Sequence, residues 1–471
     1  MTPGRELIRL WRWSAALLLW AGVLAAQEDD RDRFRGGGVL TLDDPALLQA
    51  PDSVTAADFG YVRAAAVPRV DAVLYPIPLQ EEGNLWSQWG DGLIASDGRF
   101  WSAIGDHGGP GGRSYVYAYD PEDRRLELVF DQQQLLGQQQ GDWGFGKIHC
   151  RLEELEDGRI CWGTYWGNAP PEDWKQENEH HGMVVAADPV SRRLDILGIL
   201  KRPYVIPAAM ADTRRGLFYA LPCDRNWQGQ GFAVFDLRQG RTIYYGHVET
   251  EASRRFVLVD EAGGGAWFSV RTDTSRQVWL ARYDADSNTV EERALPLPEG
   301  YGPMRAGTEK RDGRGLFYGV CDGLLVRIDP ERRRSEPLGA VWPTQGGRPE
   351  GDPPRGAYTT ALEISPGGRY LYAVPWAHGQ AWSHGAPVVQ FDLRTGERKV
   401  LAFLGPLFES RLGYRVGGSY CLELDAGGER LFIGINGQLL EPEAPPPKSA
   451  FGHPSCMVLH IPAQERMNDS P

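Results

Sequence analysis

Six segments of this chain share one pattern of apolar and polar positions. Each is an apolar stretch that runs into an aspartate and a short polar turn, then resumes as a second apolar stretch; the first copy reads YVYAYDPEDRRLELVF. Aspartate followed by Pro, Gly, Asn or Ser favours a turn, because its carboxylate accepts hydrogen bonds from the backbone just beyond it. The pattern predicts six β-hairpins, with turns at Asp120, Asp188, Asp236, Asp284, Asp329 and Asp392.

The hairpins recur roughly every fifty residues, which is the period of a β-propeller blade. The turn then joins the third and fourth strands of a blade, and two further strands precede it. A seventh unit, with strands at 419–425, 430–437 and 455–462, lacks a fourth strand that the segment 70–78 can supply. We therefore predict an all-β fold, a seven-bladed β-propeller of four-stranded antiparallel blades whose ring is closed by an N-terminal strand.

The innermost strand of each blade, strand A, lines the central channel of a propeller. Counting back from the hairpins places six of these strands in the chain. They lie near 87–95, 147–155, 204–211, 255–260, 303–309 and 358–364.

The N-terminus resembles an export signal. Arg5, Arg9 and Arg12 precede an apolar run from Ser14 to Ala26, which ends in small residues suited to cleavage. The run is short for a membrane span, so an uncleaved anchor is the alternative. We predict a signal peptide at 1–25, a partly disordered N-terminal arm at 26–69, the propeller at 70–462 and a C-terminal tail at 463–471. We expect a secreted or periplasmic monomer that has no membrane contact beyond the signal.

The net charge excludes one class of partner, and the cysteines raise the question of disulfide bonds. A formal net charge of −13 argues against general nucleic-acid binding, which needs a basic surface, so an anionic ligand requires a local cationic pocket. Cys150 with Cys161, and Cys421 with Cys456, fall on neighbouring predicted strands. Either pair can form a disulfide in an exported protein, and buried free thiols are the alternative.

Histidines concentrate on one predicted face. The loops between the second and third strands of the blades share one channel end with the first residues of strand A, and seven of the nine histidines fall there. Imidazole is a common ligand of Zn²⁺ and Mn²⁺, so one hypothesis is a divalent metal held by His107, His181, His378 and His453. Ordinary polar loop residues are the alternative for each histidine taken singly.

The same loops carry aromatic and cationic residues. Aromatic faces stack on sugar rings, and arginine binds carboxylate or sulfate through paired hydrogen bonds. We assign Trp166, Arg271, Trp376 and Trp382 to substrate binding. The alternative is that these tryptophans pack the loops against one another.

The segment 141–168, GDWGFGKIHCRLEELEDGRICWGTYWGN, is the most distinctive stretch. Its first glycines allow the backbone to crowd the channel entrance. Lys147, His149 and Arg151 occupy alternate positions of strand A and therefore share one face, which Glu153 continues. Burying three basic groups requires an anionic partner, either a ligand or a carboxylate such as that of Glu153. We assign Lys147 and Arg151 to substrate binding, and His149 is placed to act as a base.

The blade pattern over 70–462, together with KIHCRLEELEDGRICWGT, resembles exported bacterial seven-bladed propellers of the streptogramin-lyase-like and polyuronide (ulvan or oligogalacturonate) lyase groups. In such lyases, histidine and tyrosine transfer protons, arginine neutralises the uronate, and some members add a histidine-held metal. The resemblance implies that His149, Tyr204 and Arg225 fill the catalytic roles here.

Two functions from different classes follow. The first is a secreted lyase that cleaves an acidic, uronate-containing polysaccharide by β-elimination at the channel mouth. The alternative is a non-catalytic propeller that binds a glycan or a protein through the same face. A hydrolase or lactonase with a metal at the channel mouth is a third reading.

Overall fold

The structure, a computed structural model, describes residues 29–78, 84–139, 141–171, 181–202, 204–224, 231–246, 251–271, 277–344, 356–441 and 450–469. The predicted signal peptide lies outside these residues. Within them, thirty strands form seven sheets around a central channel, which confirms the predicted seven-bladed β-propeller. No helix in this part of the chain is long and apolar enough to cross a membrane.

Three strands precede the first blade: β1 (Leu40–Leu42), β2 (Tyr61–Arg63) and β3 (Arg69–Leu74). Every blade is then listed from the channel outwards. Blade 1 contains β4 (Leu93–Ile94), β5 (Phe100–Gly105), β6 (Ser114–Asp120) and β7 (Arg125–Asp131). Blade 2 contains β8 (Glu153–Glu154), β9 (Ile160–Gly163), β10 (Gly182–Ala187) and β11 (Leu194–Lys201). Blade 3 contains β12 (Ala209–Asp212), β13 (Leu217–Ala220), β14 (Phe232–Asp236) and β15 (Arg241–Gly246). Blade 4 contains β16 (Glu251–Asp260), β17 (Gly265–Arg271), β18 (Val278–Asp284) and β19 (Thr289–Pro296).

The remaining blades follow the same order. Blade 5 contains β20 (Met304–Gly307), β21 (Phe317–Cys321), β22 (Leu324–Asp329) and β23 (Arg334–Ala340). Blade 6 contains β24 (Glu363–Ile364), β25 (Tyr370–Ala373), β26 (Pro387–Asp392) and β27 (Arg398–Phe403). Blade 7 contains β28 (Tyr414–Leu424), β29 (Arg430–Leu439) and β30 (Ser455–His460). Besides the helical residues 29–35, the helices are α1 (Ala56–Phe59), α2 (Gln132–Leu135) and α3 (Leu404–Leu412), with 3₁₀ turns at Pro45–Leu48, Ala381–His384 and Ala463–Glu465.

The six predicted turns are present, and each uses the aspartate as expected. In every copy the carboxylate accepts a hydrogen bond from a backbone N–H two or three residues further on. The N–H donors and their distances are Glu122 to Asp120 at 2.9 Å, Val190 to Asp188 at 2.8 Å, Arg238 to Asp236 at 2.9 Å, Ser287 to Asp284 at 2.9 Å, Arg332 to Asp329 at 2.9 Å and Arg394 to Asp392 at 2.8 Å.

Strand β3 closes the ring, as predicted. It pairs antiparallel with β30 as the fourth strand of blade 7, with Arg69 opposite His460 and Leu74 opposite Ser455. Strand β1 then adds a fifth strand to blade 7, and β2 pairs in parallel with β27 of blade 6. The edges of these two blades are thereby covered.

From residue 29 onwards, the segment expected to be a partly disordered arm instead packs on the outside of blades 6 and 7. Residues 29–35 are helical. The physical reason is apolar burial, because Phe34, Leu40 and Leu47 lie in a core shared with these two blades. At the other terminus, the buried carboxylate of Glu465 accepts hydrogen bonds from the Ala65 N–H at 2.6 Å and from the Lys399 ammonium at 2.7 Å.

All six cysteines are buried free thiols. Neither predicted pair is bridged, because the members do not lie opposite each other. Cys161 pairs with Glu153 across the ladder, whereas Cys421 and Cys456 flank Gly434 of the strand between them. The free-thiol alternative therefore holds.

Candidate functional site

The channel entrance between blades 1 and 2 is built from backbone contacts that only glycine permits. A Cβ on Gly144 would lie 2.0 Å from a backbone oxygen, and one on Gly146 would lie 2.7 Å from Oδ1 of Asp106. The same Asp106 oxygen accepts a hydrogen bond from the Gly108 N–H at 2.6 Å. His107, between them, has a left-handed φ of 61°. This packing holds the His107 loop against the strand that carries Lys147.

Strand A of blade 2 places its alternating polar residues along the channel. Lys147 lies nearest the mouth, where it bridges to Tyr165, and His149 and Arg151 line the central cavity. Glu153 follows and pairs with Arg151 at 2.9 Å. The shared face is therefore the channel wall, as the alternation predicts.

Trp89 lies at the centre of the mouth. It precedes β4, the inner strand of blade 1, and its indole N–H donates to the Ser87 hydroxyl at 2.7 Å. Five rings surround it, with centroid distances of 4.6 Å for His107, 5.0 Å for Tyr420, 5.7 Å for Phe451, 5.9 Å for His378 and 6.0 Å for His149. We call these six residues the Trp89 cluster.

Sequence reasoning placed an inner strand near 87–95 but missed Trp89 itself. A signal exists in the register: Ser87 bridges to Gly105 of β5 just as Lys147 bridges to Tyr165 in blade 2. Trp89 is therefore the blade 1 counterpart of His149, and aligning the inner strands would have found it.

Two buried cations lie against aromatic rings at the mouth. The Lys147 ammonium is 4.2 Å from the Trp89 ring centroid, and Lys147 is only 5% exposed. The Arg305 guanidinium is 4.6 Å from the Tyr358 ring, which itself contacts His378 at 4.5 Å. Such contacts are worth about 0.5–2 kcal/mol each. The mouth is therefore both aromatic and locally cationic, although the whole chain is acidic.

Two histidines of the Trp89 cluster, His107 and His149, have surroundings that bear on their chemistry. Burial, reinforced by the Lys147 ammonium, lowers the pKa of His107 to about 3. Nδ1 of His149 lies 2.7 Å from the Pro207 carbonyl oxygen. Since a carbonyl only accepts, Nδ1 carries the proton and Nε2 is the basic nitrogen of that ring.

The four histidines predicted to hold a metal are not brought together. His107 and His378 both contact Trp89, but the His453 ring lies beside Leu439 at the end of β29, and His181 lies beside Arg202. Among the described residues, the single group of three ligand side chains with atoms within 4.8 Å of one another is Glu309, Glu363 and Glu423. A four-histidine metal site therefore does not fit this structure, because the loops hold those rings at separate places around the ring of blades.

Of the other two predicted catalytic residues, Tyr204 does not join His149. Tyr204 packs 6.5 Å from the ring of Tyr245 on the outermost strand of blade 3, away from the central cavity. Arg225 lies outside the described residues. Tyr420 and Tyr165 are the tyrosines near His149, at ring distances of 6.3 Å and 5.3 Å.

The predicted substrate-binding residues divide into two groups. Lys147, Arg151 and Trp166 lie at or beside the channel. The others do not: Arg271 is exposed at the end of β17, Trp376 stacks on His384 at 4.9 Å and Trp382 lies under the Arg415 guanidinium at 5.3 Å. The two tryptophans of blade 6 therefore pack loops, which is the alternative stated for them.

Deeper in the channel, Arg151 lies among carboxylates from several blades. Its guanidinium pairs with Glu153 of blade 2 at 2.9 Å, with Glu423 of blade 7 at 3.1 Å and with Glu309, which follows β20 of blade 5. We call the surrounding acids the channel carboxylate cluster; its members are Asp91, Glu153, Glu309, Glu363 and Glu423.

These carboxyl groups are crowded around one guanidinium, and their titration reflects this. Burial raises the pKa of Asp91 and of Glu153 to about 7, although Arg151 opposes the shift. Burial and neighbouring carboxylates raise the pKa of Glu363 and Glu423 well above their ordinary values. Burial therefore favours the protonated forms of Asp91, Glu153, Glu363 and Glu423.

No protein-family model matches this chain, and no curated protein matches it. Solved structures share its fold. The RRP9 WD40 repeats are 10% identical, with 86% of this chain and 100% of that chain covered and a TM-score of 0.51. Hydrazine synthase from Kuenenia stuttgartiensis is 12% identical, with 79% of this chain and 99% of that chain covered and a TM-score of 0.48. The extracellular domain of BT4673 from B. thetaiotaomicron is also 12% identical, with 82% of this chain and 42% of that chain covered and a TM-score of 0.45. At 10% identity, the likeness to the RRP9 repeats shows the propeller fold alone.

Proposed function

We propose that this protein binds an acidic carbohydrate at the channel mouth. The observation that carries the proposal is the buried Lys147 ammonium, 4.2 Å from the face of Trp89. A sugar stacks on an aromatic face through its C–H groups, and an ammonium attracts its carboxylate. Below the mouth, the Arg151 guanidinium is already paired with Glu153, Glu309 and Glu423, so we expect an anionic ligand to stop at Trp89 and Lys147.

The test is calorimetric titration with uronate oligosaccharides and with neutral oligosaccharides of equal length. Lys147→Met should weaken uronate binding at least tenfold, and the wild-type affinity should fall as salt is added. Lys310→Met is the matched control, because Lys310 is exposed at the other end of the channel. Equal uronate affinity in both variants would contradict the proposal.

A second candidate, a polysaccharide lyase, is favoured by the tautomer of His149. With Nδ1 donating to the Pro207 carbonyl, Nε2 is free of the ring proton and can remove the C5 proton of a bound uronate. The C–H electron pair forms the C4–C5 double bond, and the C4–O bond breaks. The departing oxygen keeps the bonding pair and takes a proton, for which the Tyr420 hydroxyl is the candidate because Tyr420 lines the central cavity together with His149. No water is consumed, and one product carries an unsaturated uronate.

An ultraviolet assay for unsaturated uronate tests this candidate on ulvan, pectate and glycosaminoglycans. His149→Gln should abolish product formation while uronate binding persists. If the wild-type protein forms no product from any of these polymers, the lyase candidate is wrong and non-catalytic carbohydrate binding is the function that stands. Such substrates are extracellular, in keeping with the export signal expected at 1–25, and we retain a secreted or periplasmic location as part of the proposal.

A further inference from the structure

A second cavity opens beside the Trp89 cluster, between blades 1, 2 and 3. It measures about 200 Å³, and its walls include His107, Lys147, Tyr165, Trp166, Asn168 and Asp224. We call it the side pocket. It shares Lys147 and His107 with the mouth, so one ligand can occupy both places.

The rim of the side pocket is held rigidly. The Asn168 side-chain amide donates to the His107 carbonyl at 2.8 Å, and the Asn168 carbonyl accepts from the Trp143 indole N–H at 2.8 Å. A Cβ on Gly167 would lie 2.3 Å from the Gly108 carbonyl oxygen, so that segment cannot move inwards. The pocket is therefore a preformed feature of the fold.

The polar groups of the side pocket mix donors with acceptors. Lys147 donates and the Asp224 carboxylate accepts, while Tyr165 and Trp166 supply aromatic surface. Trp166 is 4% exposed, and its indole N–H has no hydrogen-bond partner among the residues that the structure describes. The same holds for Nε2 of His107. Buried polar groups normally have partners, so these two point to a missing one.

Hydroxyl groups suit this mixture, because each donates one hydrogen bond and accepts others. A purely anionic ligand would instead face the Asp224 carboxylate. Size supports the same choice, since the central cavity beneath Trp89 measures about 60 Å³ and the side pocket about 200 Å³. Drug-sized ligands fill about 300–1,000 Å³, so a single small polyhydroxylated ring is the appropriate occupant.

We propose that the side pocket binds one sugar residue through its hydroxyl groups, with Trp166 and Asp224 as its recognition residues. The ligand then runs across blades 1–3 with its carboxylate towards Lys147, rather than down the channel. This inference extends the proposed carbohydrate binding. It rests on that proposal for the acidic character of the ligand, whereas the binding of a sugar in the side pocket is argued independently.

The test measures the affinity of Trp166→Phe and Asp224→Asn for a uronate oligosaccharide and for a neutral oligosaccharide of equal length. Trp166→Phe removes the indole N–H and keeps an aromatic ring. We expect about fivefold to tenfold weaker binding in each variant. Trp382→Phe is the matched control, since Trp382 packs against Arg415 in another loop. Melting temperatures show that each variant is folded, and Asp224→Asn carries the test alone if Trp166→Phe does not fold.

The outcomes separate this inference from the proposed function. If the wild-type protein binds uronates and both variants bind as tightly, the side pocket is not used, while acidic-carbohydrate binding stands. If neutral and acidic oligosaccharides bind equally and both variants weaken them, the side pocket stands and the acidic preference is wrong. If the wild-type protein binds neither class, both are wrong.

Discussion

Replacing Glu423 by Gln tests whether the channel carboxylate cluster holds protons at neutral pH. Burial raises the pKa of Glu423, neighbouring Glu309 raises it further and Arg151 opposes the shift. The unfolded chain releases this proton above about pH 4. Stability from the group is thus fully present below that pH and is lost as pH rises through the folded-state pKa. The glutamine has no proton to lose, so the variant keeps its stability where the wild type weakens.

Asp91 and Glu153, whose pKa lies near 7, show the scale of the effect for one carboxyl group of this cluster. Each pH unit between the unfolded and folded values changes stability by about 1.4 kcal/mol per group. One such carboxyl therefore removes about 3 kcal/mol between pH 5 and pH 7. We expect the free energy of unfolding of Glu423→Gln, relative to wild type, to rise from pH 5 to pH 8, with a slope of at most about 1.4 kcal/mol per pH unit.

Urea unfolding at pH 5, 6, 7 and 8 measures the difference between the two proteins. Buried histidines act in the opposite direction below about pH 6.5, because burial lowers the pKa of His107, His384 and His453. Their contribution is common to both proteins and cancels. The exposed Glu299→Gln is the control and should show no pH-dependent difference. A difference for Glu423→Gln that is flat with pH, or that falls as pH rises, would refute the reasoning.

Three further predictions concern the fold. Gly146→Ala should lower the free energy of unfolding by about 1–3 kcal/mol, because its Cβ would lie 2.7 Å from Asp106. The control is Gly141→Ala, whose Cβ would have no atom within 4 Å and which should change the urea midpoint little. Equal effects of the two variants would contradict the crowded channel entrance. Phe34→Ala should lower the free energy of unfolding by about 3–5 kcal/mol, since Phe34 is fully buried beside blade 7. The control is Val62→Ala, at a side chain that is 40% exposed, and it should change this free energy by no more than about 0.5 kcal/mol. A Phe34 variant as stable as the wild type would show that the N-terminal segment is not part of the core. All six thiols should react with Ellman's reagent in denaturant without prior reduction and none in the native state, and a titre of four or two would indicate disulfides.

Periodicity was sufficient for the architecture because each blade repeats the same local physics. An apolar strand, an aspartate that caps its own turn and a second strand recur whatever surrounds them, as at Asp120 and Asp392. The closing strand was also predictable, because a propeller with an unpaired edge in its last blade needs a strand from the other terminus. The alternation of Lys147, His149 and Arg151 likewise placed them on the channel wall, since strand side chains alternate between faces.

The sequence does not predict in this way which side chains from different blades meet at the channel. Loop residues from different blades meet only if their loops extend over the channel. The path of each loop depends on contacts between residues that are distant in the chain. The Trp89 ring contacts His107, His149 and His378, whereas Nδ1 of His453 lies 3.5 Å from the Leu439 backbone nitrogen. The Arg151 pairs with Glu309 and Glu423 join blades 2, 5 and 7 across the channel, which no local pattern records.

Repeating local preferences thus specified seven blades, their turns and one basic strand face, because each depends on neighbours a few residues away. The site at the mouth, the side pocket and the raised pKa of the channel carboxyl groups arise only when the closed ring brings strands from opposite ends of the chain to one axis. There, burial and proximity between blades, rather than residue type, set which groups touch and which stay charged.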